Sequence, residues 1–393
     1  MSRLNDLIKE LCPNGVEFKK LEDCCNILDN KRKPVSKGVR ENGEYPYYGA
    51  NGIQDYINDY IFDGEYVLVG EDGSVQTANG TPVVNWAVGK IWVNNHAHII
   101  EEIDGVSLRY LYHYLQIVDV KDLIHGNIPK LNQGDFRNIK IAIPPLEVQN
   151  EIVRILDKFG ELEAELEAEL EARKNQYEFW HGKLLDRDNN LMSIGELFEF
   201  KNGINKSKDC FGKGNSIINY VDVYKNNKIT RDIVNGLVEL NDTDLDRYSC
   251  QKGDVLFTRT SETREEVGMA SVLVDNMKDS VFSGFLLRAR PITDLLIPEY
   301  CAYCFSSPRV RRDIVSYANF TTRATVTGPI LSKVKIYVPS KEEQFKIVNV
   351  LDKMYNLVNS FVEGIPAEID LRRKQYEYYR NKLLSFEELS ISE

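Results

Sequence analysis

The chain has 393 residues with 49 basic and 60 acidic side chains, a net charge of −11 at pH 7, and is 42% hydrophobic and 28% charged. This composition excludes a disordered or fibrous protein. The length predicts two or three domains, and no apolar run approaches the roughly 20 residues of a membrane helix. Seven cysteines thinly spread through so long a chain predict reduced thiols in a cytoplasm, and the start, Met1-Ser2-Arg3-Leu4, does not read as a secretion signal. Taken globally, the negative charge argues against a nucleic-acid partner.

In chain order, the first predicted element is a helix with Leu4, Leu7, Ile8 and Leu11 on one face. Short strands follow in EYPYYGANGIQDYI, IFDGEYVLVGEDGSV and KIWVNNHAHII, all aromatic or β-branched runs punctuated by Gly, Asn and Asp. A helix is expected around 107–119, then the turn-rich HGNIPKLNQGDF and a strand leading to Pro144. A long 3.6-period pattern starts there, with Ile152, Ile155, Phe159, Leu162, Leu166, Leu170, Tyr177, Trp180 and Leu184 on one stripe. Residues 161–172 are three tandem copies of Glu-Leu-Glu-Ala, and the two four-residue steps they create form a stutter in a heptad pattern. Each copy adds one helical turn, about 6 Å, so copy number would tune the length of a spacer. Strands return in IINYVDVY, CQKGDVLFTRTSET, GMASVLV and FSGFLLRARPI, with a helix near 298–317, the polar segment NFTTRATVTGP and the strand VKIYVP. A second long stripe holds Ile347, Leu351, Met354, Phe361, Tyr376, Tyr379 and Leu383, with Gly364 and Pro366 expected to kink or break it.

The chain repeats itself. IAIPPLEVQNEIVRILDKF at 141–159 matches IYVPSKEEQFKIVNVLDKM at 336–354 with a constant offset of 195. QYEFWHGKLL at 176–185 matches QYEYYRNKLL at 375–384 with an offset of 199. A repeat unit of nearly half the chain is too long for a solenoid. The expected fold class is α+β: two mixed α/β domains joined by two long antiparallel helices in a pseudo-twofold coiled coil. The expected boundaries are 1–143, 144–186 for the first spacer helix, 187–338, and 339–393 for the second helix and an acidic tail. The order of parts agrees in the two halves while the residues between the helices barely align, which suggests one scaffold presenting two different reading surfaces.

No catalytic motif stands out. The only Pro-Pro is followed by Leu146, no phosphate-binding glycine loop is present, and FGKGNSI at 211–217 lacks the third glycine of a dinucleotide fingerprint. Cys301-x-x-Cys304 has no second pair and reads as core thiols; His96-x-His98 lacks a third ligand, so no metal site is expected.

At Ile141–Phe159, Ile336–Met354 and the Gln-Tyr-Glu-aromatic endings, the sequence closely resembles the specificity subunit of type I restriction-modification systems. Segments Tyr45–Ile53, Asn95–Ile99, Gly253–Thr263 and Phe282–Leu287 also look like segments common in that family, and the resemblance spans essentially the whole chain. It implies two target-recognition domains, each reading one part of a split double-stranded DNA sequence at a gap set by the helices. It further implies two modification subunits that methylate adenine and two restriction subunits. S-adenosylmethionine, ATP and Mg2+ would then belong to those partners, with no cofactor on this chain. The interruption at Gly364-Ile365-Pro366, present in one helix only, departs from an exact symmetry of the spacer. Two other readings stay open: a self-contained restriction or methylation enzyme with unrecognised catalytic residues, and a coiled-coil adaptor binding proteins only.

Charge reads differently by segment. Residues 147–185 carry −5 and residues 386–393 carry −3, and neither segment needs to touch DNA. Affinity for DNA depends on local phosphate contacts, screened beyond about 10 Å. Base reading needs paired donors and acceptors or apolar contacts to thymine methyls. In the first domain the candidates are Tyr47, Tyr48, Asn51, Asn95, His96, His98, Lys130 and Asn132; in the second they are Arg259, Ser261, Thr263, Thr322 and Arg323. No domain is strongly basic, so weak DNA binding by the isolated chain is expected.

Overall fold

The computed structural model describes residues 2–73 and 75–389 and divides into two compact units, one of residues 1–167 with 368–393, the other of residues 168–367. Among the described residues no helix is long and apolar enough to cross a membrane.

In the first unit a six-stranded, largely antiparallel sheet runs in the order Asn26–Ile27, Ala97–Glu101, Phe62–Gly70, Val84–Val93, Asn42–Gly49, Gly52–Ile57. The run KIWVNNHAHII is two strands, because Asn94 and Asn95 open a turn in which the Asn94 side chain accepts from the His96 amide at 2.8 Å. The helix Ser2–Leu11 places Leu4 in a core shared with the helix Leu108–Leu115 and with Ile152, Leu156 and Leu383.

The second unit repeats the plan with different ornament. Its main sheet runs Phe198–Asn202, Leu286–Pro291, Val255–Thr258, Ala270–Leu273, Lys228–Ile229. The expected helix near 298–317 is two helices, Pro298–Cys304 and Pro308–Tyr317, since Ser307 caps the second and Pro308 cannot donate into the first. Cys301 and Cys304 are buried in its core, and burial pushes the Cys304 thiol up to about 12. IINYVDVY is a strand only as far as Ile218. Asn219 and Asp222 then form a capping box that opens the short helix Tyr220–Lys225.

What the repeated residues do is the same in each unit. Gln149 is fully buried: its Oε1 accepts from the Ser107 amide at 2.9 Å, and its amide donates to the Pro144 and Gly105 carbonyls at 2.8 and 3.2 Å. Gln344, 195 residues on, accepts from the Ile297 amide at 2.9 Å and donates to the Pro339 and Leu295 carbonyls at 2.9 and 2.8 Å. Tyr110 donates to the Ala142 carbonyl at 2.8 Å, and Tyr300 to the Tyr337 carbonyl at 2.9 Å. Asp157 accepts from Arg109 and His113, both at 2.8 Å; its counterpart Asp352 accepts from Lys228 and Tyr303. Each long-helix start is thus clamped to its own domain by a glutamine and an aspartate.

Leu146–Leu185 is one unbroken helix of 40 residues, beginning in the first unit and ending in the second. In the first unit Phe159 lies 5.5 Å from the Tyr379 ring and 6.4 Å from Tyr376, while Arg373 bonds Glu163 and Glu167 at 2.5 and 2.6 Å. In the second unit Tyr177 meets Tyr355 at 6.0 Å and Arg187 pairs with Glu343 at 3.3 Å. Both sets of contacts run antiparallel. Leu162, Leu166, Leu170, Trp180 and Met354 are half-buried, and Ile347 and Leu351 are buried. Phe361 is a correction: it is 81% exposed, outside any helical stripe. The second helical segment breaks there into Lys341–Asn359 and Ile365–Leu383, with the Ser360 hydroxyl capping the Val362 and Glu363 amides. Gly364 is pressed so close to the Asn356, Leu357 and Ser360 carbonyls that a Cβ would fall within 2.8 Å of each.

Each unit buries one histidine against its helix pair. Burial lowers the His113 pKa despite the Asp157 carboxylate that bonds it, and burial likewise lowers that of His181, whose Nε2–H donates to the Tyr303 carbonyl at 2.9 Å. Burial would raise Asp157, yet its bonds from His113 and Arg109 hold it below the ordinary carboxylate range. With the histidine neutral near pH 7, Arg109 is the cation that stabilises the Asp157 carboxylate. Since the folded histidine pKa lies below the unfolded value of about 6.5, the unfolded chain takes up protons first on acidification. Stability contributed by the neutral rings is therefore full above about pH 6.5 and is lost as pH falls below it. The expected result is a melting temperature that drops between pH 7 and pH 5, with a shallower drop in a His113→Gln/His181→Gln double variant; equal slopes would refute the assignment.

Candidate nucleic-acid interface

Both units build the same crossing of backbone beyond the end of a central strand. In the first, the Glu71 amide donates to the His96 carbonyl at 2.8 Å, and the Glu71 carbonyl accepts from the Leu131 amide at 2.8 Å. In the second, the Arg259 amide donates to the Phe285 carbonyl at 3.0 Å, and the Arg259 carbonyl accepts from the Val326 amide at 2.9 Å. A hairpin is thereby hung on each crossing: Ile124–His125 with Lys130–Leu131 in the first unit, Asn319–Phe320 with Ala324–Thr325 in the second. The offset of 195 holds from Leu131 to Val326, so the repeat reaches into the domains at backbone level, although the side chains there differ.

Beside each hairpin is an open cavity. The first is about 370 Å³, lined by Asn51, Gln54, Asp72, His96 and Ile128 among others, and His96 Nδ1 pairs with Asp72. The second, about 350 Å³, is lined by Tyr220, Tyr224, Thr260, Ser261, Glu266 and Arg323. Ile128 and Arg323 occupy corresponding hairpin positions, so the same place in the fold offers an apolar tip in one unit and a cation in the other.

The structure therefore sorts the candidates. Asn51, Asn95, His96 and Lys130 are exposed on the first unit, and Lys130 Nζ lies 3.2 Å from Glu71. Asn132 is spent on capping the helix Gln133–Arg137, its Oδ1 accepting from the Asp135 amide at 3.0 Å. Tyr47, Tyr48 and His98 serve the interior. The Tyr47 hydroxyl accepts from the Val35 amide at 3.0 Å, and Tyr48 packs in the sheet's core. His98 is fully buried between Asp29 at 2.7 Å and the Leu131 carbonyl at 2.9 Å, stacked on Phe136. All three have the aromatic and donor chemistry of a base reader but are buried, the neighbours Tyr47 and Tyr48 both at once because the pairing of their strand with Gly52–Ile57 shifts register between them. Asp29, Glu71 and His98 lie close enough to ligate a metal, yet the Arg32 guanidinium, 2.6 Å from Glu71 and 3.4 Å from Asp29, stands in that place as the cation.

In the second unit Arg259, Ser261, Thr263, Thr322 and Arg323, chosen from two segments some 60 residues apart, come together because Thr260–Ser261 pairs with Ala324–Thr325. Ser261 is nearly buried, with its hydroxyl accepting from the Thr263 amide at 3.2 Å, whereas Thr263, Thr322 and Arg323 are exposed. Arg259 donates to the Gly284 carbonyl at 3.0 Å and so braces the crossing. Arg323 is 3.7 Å from Glu262, an exposed pair with little hold on either partner. Gln54, Asp72, Tyr220, Tyr224 and Glu266 escaped the sequence reading; the Asn219-x-x-Asp222 capping box was the one legible signal for the tyrosine pair.

Comparison with known proteins agrees with this duplicated plan. The family model for the type I restriction modification DNA specificity domain matches twice, over residues 13–172 and 187–371. A Haemophilus influenzae protein named as a type I restriction enzyme specificity subunit is 34% identical over 97% of this chain and 98% of its own. The EcoR124I/EcoR124II specificity subunit of Escherichia coli is 29% identical over 71% of each chain. Among solved structures, the S subunit of a type I restriction-modification system from M. genitalium superposes with a TM-score of 0.55 at 13% identity, covering 94% of this chain and 96% of that one. A chain from a study of complex assembly and conformational transition in the type I R-M system gives 0.60 at 14%, covering 95% and 98%. The duplicated domain match and the near full-length relative show that the chain belongs to the type I restriction-modification specificity subunits, which recognise DNA and are not themselves enzymes.

Proposed function

We propose that each unit reads one half of a bipartite double-stranded DNA target, using the face where hairpin and cavity adjoin the crossing. The carrying observation is that crossing: one backbone scaffold, built twice, bearing Asp72, His96 and Ile128 in one unit and Glu266, Tyr224 and Arg323 in the other. A scaffold that conserves its hydrogen bonds while exchanging its exposed chemistry suits two different base sequences. The helix Leu146–Leu185, shared by the two units, would set the gap between half-sites. The clamped helices would hold two methyltransferase subunits at the half-sites, with two restriction subunits joining the assembly. Methylation of adenine with S-adenosylmethionine, and DNA translocation and cleavage with ATP and Mg2+, would be the partners' chemistry, in the cytoplasm. With neither domain strongly basic, this chain would bind DNA weakly until those partners add phosphate contacts.

Exchanging residues 189–338 for the equivalent segment of another specificity subunit tests the reading. Methylome sequencing should show one half-site replaced and the other retained. Replacement of both, or of neither with methylation intact, would refute it.

A further inference from the structure

The cavity of the second unit contains a carboxylate held by hydroxyls alone. Glu266 Oε1 accepts from the Tyr224 hydroxyl at 2.6 Å, and Oε2 accepts from Thr263 Oγ1 at 2.8 Å and Ser261 Oγ at 3.5 Å. Among the described residues no basic nitrogen lies within 4.0 Å of it. The hydroxyl bonds, Tyr224's first, keep the carboxyl below the ordinary glutamate range, so it is ionised at neutral pH. A carboxylate offers about four acceptor sites, and three hydroxyl donors, one of them long, leave at least one free on a residue that lines the cavity. Tyr220 and Tyr224 stack at 5.7 Å and 17°, so the phenol that holds Glu266 is itself fixed in place. The result is an anionic acceptor with a set orientation, opening on the cavity that Arg323 also lines.

Such a group is unsuited to phosphate, which it repels. What it fits on DNA is an exocyclic amino group on the major-groove edge: cytosine N4 or adenine N6. We propose that Glu266 reads one such amino group in the half-site of the second unit, with Tyr224 and Thr263 as positioning residues. The assignment rests on the second unit being the reader of one half-site. It goes further in naming the residue and the functional group read.

The experiment uses the full complex with its methyltransferase partners and DNA libraries randomised in each half-site in turn, scored by methylation. The wild type should favour an amino-bearing base at one position. Glu266→Gln should relax that preference about ten-fold or more at that position alone, since one good base contact carries roughly 1–3 kcal/mol of discrimination. Tyr224→Phe should relax the same position less. An independent readout uses wild-type protein and DNA in which that base lacks its amino group. The analogue should cost the wild type about as much as Glu266→Gln costs normal DNA, and adding both should cost little more than either. Unchanged base ranking at every position of this half-site in Glu266→Gln, or full additivity of variant and analogue, overturns the proposal while leaving the two-reader assignment intact. A change confined to the other half-site would instead refute that assignment.

Discussion

Deleting one of the three Glu-Leu-Glu-Ala copies, residues 165–168, is expected to shorten the gap in the DNA target by one or two base pairs and to leave the bases of both half-sites unchanged. The physical basis is helix geometry. Four residues at about 1.5 Å each remove roughly 6 Å, against a base-pair step of about 3.4 Å. Four residues also turn the helix by about 400°, so the apolar stripe resumes within about 40° of its former direction and the remaining contacts can be kept. The tract tolerates this because Glu161, Glu165, Ala168, Glu169 and Glu171 are exposed and none of its residues is fully buried, Leu162, Glu163, Leu166 and Leu170 being half-buried, so little core is lost with a copy. Because the copies are identical, Glu171 would move into the place of Glu167 and Arg373 would keep two exposed partners, each pair worth well under 1 kcal/mol. Methylome sequencing of cells carrying the deletion reads the outcome directly. Changed half-site bases at an unchanged gap would contradict the spacer role.

The second large effect is expected at the clamp. Gln344→Ala removes three hydrogen bonds and strands two buried groups, the Ile297 amide and the Pro339 carbonyl, while the Leu295 carbonyl sits on an exposed residue within reach of water. With about 1–3 kcal/mol for each buried group left unpaired, and a cavity besides, a loss of roughly 3–5 kcal/mol is expected. Gln149→Ala should behave alike in the first unit, where the Ser107 amide and the Pro144 and Gly105 carbonyls lose their partner. Gln344→Glu should not rescue, because a carboxylate would face two carbonyl oxygens without a donor to offer them. Urea unfolding followed by circular dichroism measures both losses. A Gln344→Ala variant within 0.5 kcal/mol (about a factor of two in the folding equilibrium) of the wild type would show that the buried amide is not what anchors the helix.

These clamps explain how much was legible beforehand. At the helix starts residues recur at an offset of 195 because the same groups must be satisfied there in the same way. The Glu-x-Gln and Leu-Asp-Lys motifs stood out because a buried glutamine with three partners, or an aspartate bridging helix and domain, admits few substitutes. The break after Asn359 was legible for a similar reason, since Gly364 and Pro366 leave the backbone few choices. Phe361 was misplaced because helical spacing counts residues along an assumed continuous helix, and it falls within the interruption.

The reading surface was far less visible. Tyr47, Tyr48 and His98 have the side chains a DNA reader would use, but which face of a strand points to the core is set by the sheet's pairing, and nothing local encodes that for aromatic residues able to serve on either side. Glu266 and Arg323 lie far apart in the chain and meet across a cavity only because Thr260–Ser261 pairs with Ala324–Thr325.

The duplication, the long helices, the acidic spacer tract and the family are all written in residue order, because helical periodicity and repeated motifs are local and reinforce one another over many residues. Which polar side chains are spent inside each domain and which remain outside emerges from the fold alone, because burial and pairing are long-range outcomes of how strands come together.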